Sequence, residues 1–262
     1  MTPFLVRHDS VFAFFVLALG AGTLLVYGLR VVLRGGARFE RVDSVGGSPL
    51  LGKSLVEMGF WAMQPLARNC VRLGITPNMI TLGSLALGLG AGVSLALGGM
   101  GLGALLALAS GVGDVLDGQV ARLTGTGSKR GEVYDASVDR YMEFFVTGGL
   151  VLFYREHALF AAVALAAMLA CFMISYSSAK AEALGITPPK GAMRRHERGV
   201  YLISGAVFSA ALAPWLEPFR WWPELRAVPM MAALAFVAVV GNVSAVRRLL
   251  AIARLADGDP PA

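Results

Sequence analysis

Residues 158–183, ALFAAVALAAMLACFMISYSSAKAEA, carry no charged side chain before Lys180. An α-helix rises 1.5 Å per residue, so about 20 such residues cross the hydrocarbon core of a bilayer. Lipid offers the backbone no hydrogen-bond partners, which leaves helices or closed barrels as the only spanning structures. Apolar runs of this length select helices. Comparable blocks lie near residues 12–32, 79–98, 101–122, 133–154, 199–215 and 227–247. Together they predict an all-α integral membrane protein with seven spans. The composition agrees, with 56% hydrophobic and only 15% charged residues, a balance that excludes an ordinary soluble domain.

The placement of basic residues orients these spans. Only Arg7 precedes the first block, whereas Arg30, Arg34, Arg38 and Arg41 follow it, so the N-terminus is expected outside and the end of that span in the cytoplasm. Lys129 and Arg130, then Lys190, Arg194, Arg195 and Arg198, and finally Arg247 and Arg248 fall on the same cytoplasmic side. The turn at Gly98–Gly101, the turn near Glu156 and the segment WLEPFRWWPELR fall on the other. The formal charge of +6 is therefore a matter of topology and does not point to nucleic acid. The first block is too long for the apolar core of a signal peptide and reads as a retained anchor. In residues 53–73, Leu55, Val56, Phe60, Met63, Leu66 and Leu73 share one helical face, and Glu57, Gln64, Arg68 and Arg72 the other, with Pro65 placed to kink or divide the helix. That pattern suits an amphipathic helix lying in the interface. The chain divides into an N-terminal transmembrane anchor and basic linker (1–52), the interfacial helix (53–76), a membrane domain (77–250) and a cytoplasmic tail (251–262).

Ten glycines crowd residues 83–113 and imply close helix packing rather than a nucleotide-binding loop, since no strand precedes them. Cys70 and Cys171 lie in unlike surroundings, so no disulfide is expected between them. His8, His157 and His196 lack metal-ligand spacing.

The chemistry concentrates in GDVLDGQVARLTGTGSKRGEVYDASVDRY, residues 113–141. Asp114 and Asp117 are three apart near the end of one predicted span, and Asp135 and Asp139 are four apart at the start of the next, so each pair shares a helix face. The short connection TGTGSKR is expected to make the two helix ends antiparallel neighbours whose carboxylates face one small volume. Carboxylates gathered near hydrocarbon repel one another and are costly to desolvate, so they need a partner. An all-oxygen donor set favours a hard ion, Mg²⁺ or Mn²⁺, and two such ions make a clamp for phosphoryl oxygens. Gly118 and Gly131 leave the backbone open to close approach, Ala121 leaves room one turn on, and Arg122 is suited to phosphate. Taken singly, the same residues also fit helix packing, snorkelling and capping.

The arrangement Asp114-x2-Asp117-Gly118-x2-Ala121-Arg122-x8-Gly131-x3-Asp135-x3-Asp139 resembles the signature of the CDP-alcohol phosphotransferase family at all eight specified positions. The resemblance covers residues 53 to about 250 and implies a six-helix core, to which this chain adds one N-terminal transmembrane helix and the interfacial amphipathic helix. It further implies a homodimer in the membrane, expected in the bacterial inner membrane with the active site facing the cytoplasm. The implied reaction is transfer of a phosphatidyl group from CDP-diacylglycerol to an alcohol with release of CMP. By the same resemblance Asp114, Asp117 and Asp135 hold the metals with Asp139 nearby, Asp139 is the general base, and Asn78, Gly118, Ala121, Arg122 and Gly131 line the CDP site with Asp114 and Asp117.

Arg140, directly after Asp139, resembles the pairing in inositol-type members. SYSSAKAEALG and MRRHERGVYL resemble the K-x-E and R-x-x-R segments of bacterial phosphatidylinositol phosphate synthases, through Lys180, Glu182, Arg195 and Arg198. Arg140, Lys180, Arg195 and Arg198 are thus the expected acceptor-binding residues, and inositol 1-phosphate the expected acceptor. Glycerol 3-phosphate, free inositol and serine are the alternatives within the same chemistry, and a divalent-cation transporter is the alternative from another class. Glu143, one turn beyond Asp139, is placed to meet an acceptor, to orient Arg140 or Lys180, or to form a structural pair.

Overall fold

The computed structural model describes residues 3–35, 52–189, 191, 193, 195–219 and 227–257, with 3–7, 52–53, 195–196 and 217–219 described in the backbone only. Arg38, Arg41, Lys190, Arg194 and the segment 220–226 lie outside the described residues. Within them the chain is helical: α1 (Pro3–Arg34), α2 (Gly52–Arg72), α3 (Pro77–Ala96), α4 (Met100–Thr124), α5 (Lys129–Phe153), α6 (Ala158–Ala183), α7 (Arg195–Leu212), a 3₁₀ segment (Ala213–Phe219) and α8 (Val228–Ala256). Six of these, α1, α3, α4, α6, α7 and α8, are long and apolar enough to cross a membrane. The seventh predicted span, α5, is long enough at 25 residues but carries Asp135, Asp139, Arg140 and Glu143 within its first 15 residues. Its polarity is that of a site-bearing helix, and it packs between α3 and α6.

Local chemistry sets the helix ends. Thr76, extended at φ −81° and ψ 154°, caps α3 by accepting a hydrogen bond from the Met79 amide, and Pro77 supplies a preset φ at the first helical position. Gly125 ends α4 in the left-handed region at φ 66°, which a side-chain-bearing residue adopts at a cost. Ser128 then caps α5 through its Oγ, which accepts from the Gly131 amide at 3.1 Å. The reversal between α4 and α5 is therefore as tight as its sequence implies. Their bodies, however, pack mainly on α3 rather than on each other.

Glycine explains how α3 serves two partners. A Cβ on Gly92 of α3 would collide with the Phe145 carbonyl of α5, and one on Gly149 of α5 would collide with the Gly92 carbonyl. A Cβ on Gly113 of α4 would overlap the Ser84 hydroxyl of α3. Backbone meets backbone where α3 crosses α5, and backbone meets a small hydroxyl side chain where α3 crosses α4, the packing expected where lipid removes the hydrophobic drive between helices. Gly83 and Gly111 face open space, so the glycine-rich region is not uniformly a packing seam.

A larger cluster joins α4, α5, α6, α7 and α8 through residues such as Ala104, Leu150, Ile174, Val207, Met230 and Leu234. The far end is tied by the Tyr154 hydroxyl, which donates to the Ala227 carbonyl at 3.2 Å. Helix α2 is one continuous element with Pro65 inside it, so the proline does not divide it. Its packed seam is Met63, Ala67, Cys70 and Val71 against Leu116 and Val120 of α4, while Leu55, Leu66 and Leu73 of the predicted apolar face are exposed. Helix α8 continues nine residues past the predicted end of its span and through the first part of the predicted tail, which brings Arg248 inside the bundle rather than to its edge.

Helix α1 packs on α4 and α7. Near its start, buried Asp9 accepts hydrogen bonds from the amides of Gly101 at 2.7 Å and Leu102 at 3.1 Å. Gly99, the cap position of α4, provides no side-chain bond, so an aspartate from another helix does that work. Asp9→Ala is expected to lower the thermal stability of the detergent-solubilised protein by about 0.5–2 kcal/mol, the usual worth of a cap. Gly149→Leu, which forces α3 and α5 apart, is expected to cost at least about 1–3 kcal/mol and to abolish activity with it; both are read from melting curves and turnover.

Candidate active site

The contacts at Gly92, Gly149 and Gly113 leave one end of α3, α4 and α5 together: the N-terminus of α3, the C-terminal half of α4 and the first half of α5. Asp114 projects from α4, and Asp135 and Asp139 from α5. One carboxylate oxygen from each lies within 4.8 Å of the others. Asp114 and Asp135 are partly exposed, and Asp139 is buried at 3% exposure. Oxygens across an octahedral Mg²⁺ stand about 4 Å apart, given bonds of about 2.0–2.1 Å, so a small hard cation fits among these donors with little adjustment. No sulfur or imidazole enters the group, which favours Mg²⁺ or Mn²⁺ over softer ions.

Asp117 stands beside this group, close enough to Asp114 and Asp135 to feel their charge. It is buried, and its Oδ2 accepts a hydrogen bond of 2.6 Å from the Thr81 hydroxyl, which lies on the second turn of α3. The hydroxyl holds one of the two Asp117 oxygens. Sequence reasoning passed over Thr81. Its signal was position alone, three residues after Asn78 and so on the same face of α3.

The remaining predicted donor-site residues gather at the same end. Asn78 is exposed in the first turn of α3. Arg122 folds back along α4 so that a Cβ on Gly118 would lie 3.3 Å from its Nη1. Gly118 thus makes room for the guanidinium of the same helix, a more specific role than general access. Ala121 is half-buried beside it, and Gly131 sits in the first turn of α5 with its amide on Ser128. These residues thus lie at the end of the bundle that carries the carboxylates.

A second polar cluster continues from the site along α5. Glu143 accepts from Arg140 Nη1 at 3.3 Å through one oxygen and from Arg198 Nη2 of α7 through the other. Arg198 is 1% exposed, and its Nε and Nη1 have no hydrogen-bond partner among the described residues. Arg248 of α8, also buried, donates from Nη2 to the Ser178 hydroxyl of α6 at 2.8 Å. Arg140 and Arg198 meet through Glu143. Lys180 is exposed at the end of α6, and the side chain of Arg195 lies outside the described residues. Arg248 was read from sequence as a topology signal, since a basic pair at the end of an apolar block normally marks the membrane edge. Only the extension of α8 shows otherwise.

Residues 74–241 match the CDP-alcohol phosphatidyltransferase family. The chain belongs to this family and is a membrane-embedded transferase. It is similar to the phosphatidylinositol phosphate synthase of Mycobacterium marinum, 34% identical over 183 residues that cover 68% of this chain and 76% of that one. The same enzyme of Mycobacterium tuberculosis is 32% identical over 189 residues, covering 71% and 82%. Its crystal structure with CDP-DAG bound superposes with a TM-score of 0.62 at 28% identity, covering 72% of this chain and 92% of that one. A second crystal structure of that enzyme, in complex with manganese and citrate, also has a TM-score of 0.62. Family membership sets aside the cation-transporter alternative. Helices α1 and α2 precede the matched region.

Thr81→Val keeps the shape of the residue but removes the donor to Asp117. Half-maximal activity is expected to require several-fold more Mn²⁺, with Thr81→Ser close to the parent, as titrations of turnover against metal concentration would show.

Proposed function

We propose that this chain transfers the phosphatidyl group of CDP-diacylglycerol to inositol 1-phosphate, giving phosphatidylinositol phosphate and CMP, at the cytoplasmic face of a bacterial inner membrane. The observation that carries the reading is the adjacency on α5 of a carboxylate cluster and a buried guanidinium cluster: Asp135 and Asp139 face the first, Arg140 and Glu143 the second. A donor pyrophosphate and an acceptor phosphate need those two environments side by side. The names of the curated relatives, and the CDP-DAG held by the mycobacterial enzyme, support the same donor and acceptor here.

In this reading Asn78, Gly118, Ala121, Arg122 and Gly131 cradle the CDP moiety with Asp114 and Asp117. The acyl chains stay in the bilayer. Arg140, Arg198 and Arg248, with Lys180 and Arg195, receive the acceptor phosphate, which guanidinium groups bind through paired hydrogen bonds. The acceptor hydroxyl attacks the phosphorus that carries the diacylglycerol. Its proton passes to Asp139, a new P–O bond forms, and the P–O bond to CMP breaks with its electron pair leaving on the CMP phosphate. Two divalent ions, bound by Asp114, Asp117, Asp135 and Asp139, would neutralise the pyrophosphate and stabilise the departing charge. Thr81 keeps Asp117 in place for that set, and burial of Asp139 shields the proton transfer from water. A homodimer is the proposed assembly.

Purified protein, Mg²⁺ or Mn²⁺ and CDP-diacylglycerol, offered inositol 1-phosphate, glycerol 3-phosphate, free inositol and serine in parallel, test this directly. Inositol 1-phosphate is expected to give the highest kcat/KM, and a preference for free inositol or serine would overturn the acceptor assignment. Asp139→Asn is expected to lower kcat by at least about 10²-fold, the lower end of what a positioned base contributes. Normal turnover of that variant, followed by CMP release, would remove Asp139 from its role.

A further inference from the structure

Glu143 belongs to neither the carboxylate group nor the donor rim, yet both its oxygens are engaged, one by the residue following Asp139 and one by a buried arginine of α7. Helices α5 and α7 do not pack extensively on each other among the described residues, so this ion pair crosses between helices whose bodies stand apart. A contact serving only to fasten the two helices would call for a guanidinium satisfied within the protein. Arg198 instead has one nitrogen on Glu143, while Nε and Nη1 are buried without a hydrogen-bond partner among the described residues. Arg248 repeats the pattern, with Nη2 on Ser178 and Nε buried without such a partner. Buried donors of this kind are costly unless a ligand supplies acceptors.

We propose that Glu143 is a positioning residue for the acceptor: its carboxylate fixes the fork of Arg198 and, through the other oxygen, the guanidinium of Arg140, so that both present their remaining donors to one phosphate. The inference rests on the proposed phosphorylated acceptor and deepens it. Its charge matters as well as its geometry. Glu143 offsets one of the positive charges that Arg140, Arg198 and Arg248 bring together, so the cluster is less strongly cationic than its arginines alone would make it. The side chain also lies one helical turn from Asp139, so the same rigid segment of α5 carries the base and the group that aligns the hydroxyl's parent molecule.

The test compares Glu143→Gln and Glu143→Asp with the parent, measuring kcat, KM for inositol 1-phosphate, KM for CDP-diacylglycerol and the melting temperature. Glu143→Gln is expected to raise the acceptor KM about tenfold or more, while kcat changes less than about threefold and the donor KM stays the same, the signature of lost binding rather than lost chemistry. Glu143→Asp, which keeps the charge on a shorter arm, is expected to recover part of the loss. An unchanged acceptor KM overturns the proposal. So does a joint fall of kcat, both substrate affinities and melting temperature in both variants, which would make Glu143 a structural tie. If the parent itself does not use inositol 1-phosphate, the acceptor assignment fails; the same KM comparison on the acceptor it does use then decides the role of Glu143 separately.

Discussion

Carboxylates placed among apolar helices are the constraint on which the rest of this structure depends. Asp114, Asp117, Asp135 and Asp139 repel one another and lose hydration where they meet, so each needs a held geometry and a counter-charge. The fold meets the first need with its own groups: the Thr81 hydroxyl fixes Asp117, and three helix ends converge to set the others. The second need is the reason such a cluster binds hard cations, and the cations are the reason it handles phosphates.

Convergence requires helices closer than side chains normally permit. Gly92 against Phe145 and Gly149, and Gly113 against Ser84, remove the obstruction and let α3 act as the common wall for α4 and α5. Because α4 and α5 meet mainly through α3, the site geometry depends on those contacts as much as on the tight turn at Gly125 and Ser128. Helix α1 adds a further restraint from outside the matched region, since Asp9 caps the opposite end of the helix that carries Asp114 and Asp117.

Much of this was legible before folding. The apolar blocks located every spanning helix within a few residues except at the N-terminal end of α1 and the C-terminal end of α8, because hydrocarbon length is imposed from outside the chain. The aspartate pairs were legible because three- and four-residue spacings put side chains on one helical face whatever surrounds it. Arg248 was not, since a basic residue at the end of an apolar run looks the same whether it snorkels to the surface or turns inward to Ser178. Asp9 was not either. Its partners, Gly101 and Leu102, are 92 and 93 residues away, and a cap supplied from another helix leaves no local pattern. The seam of α2 was not legible for a related reason: Ala67, Cys70 and Val71 pack with Leu116 and Val120 of α4, a partner that no pattern within α2 itself names.

The sequence by itself determined that the chain is a helical membrane protein and that its chemistry lies between Asp114 and Asp139. Both follow from interactions of each segment with solvent or with its own next turn. The tertiary structure alone decided that α3 separates the two aspartate-bearing helices, that Thr81 restrains Asp117, and that Arg198 and Arg248 turn into the bundle while Glu143 joins Arg198 to Arg140. Those facts depend on how closely helices distant in sequence approach, which is settled by the surfaces that meet and not by either segment alone.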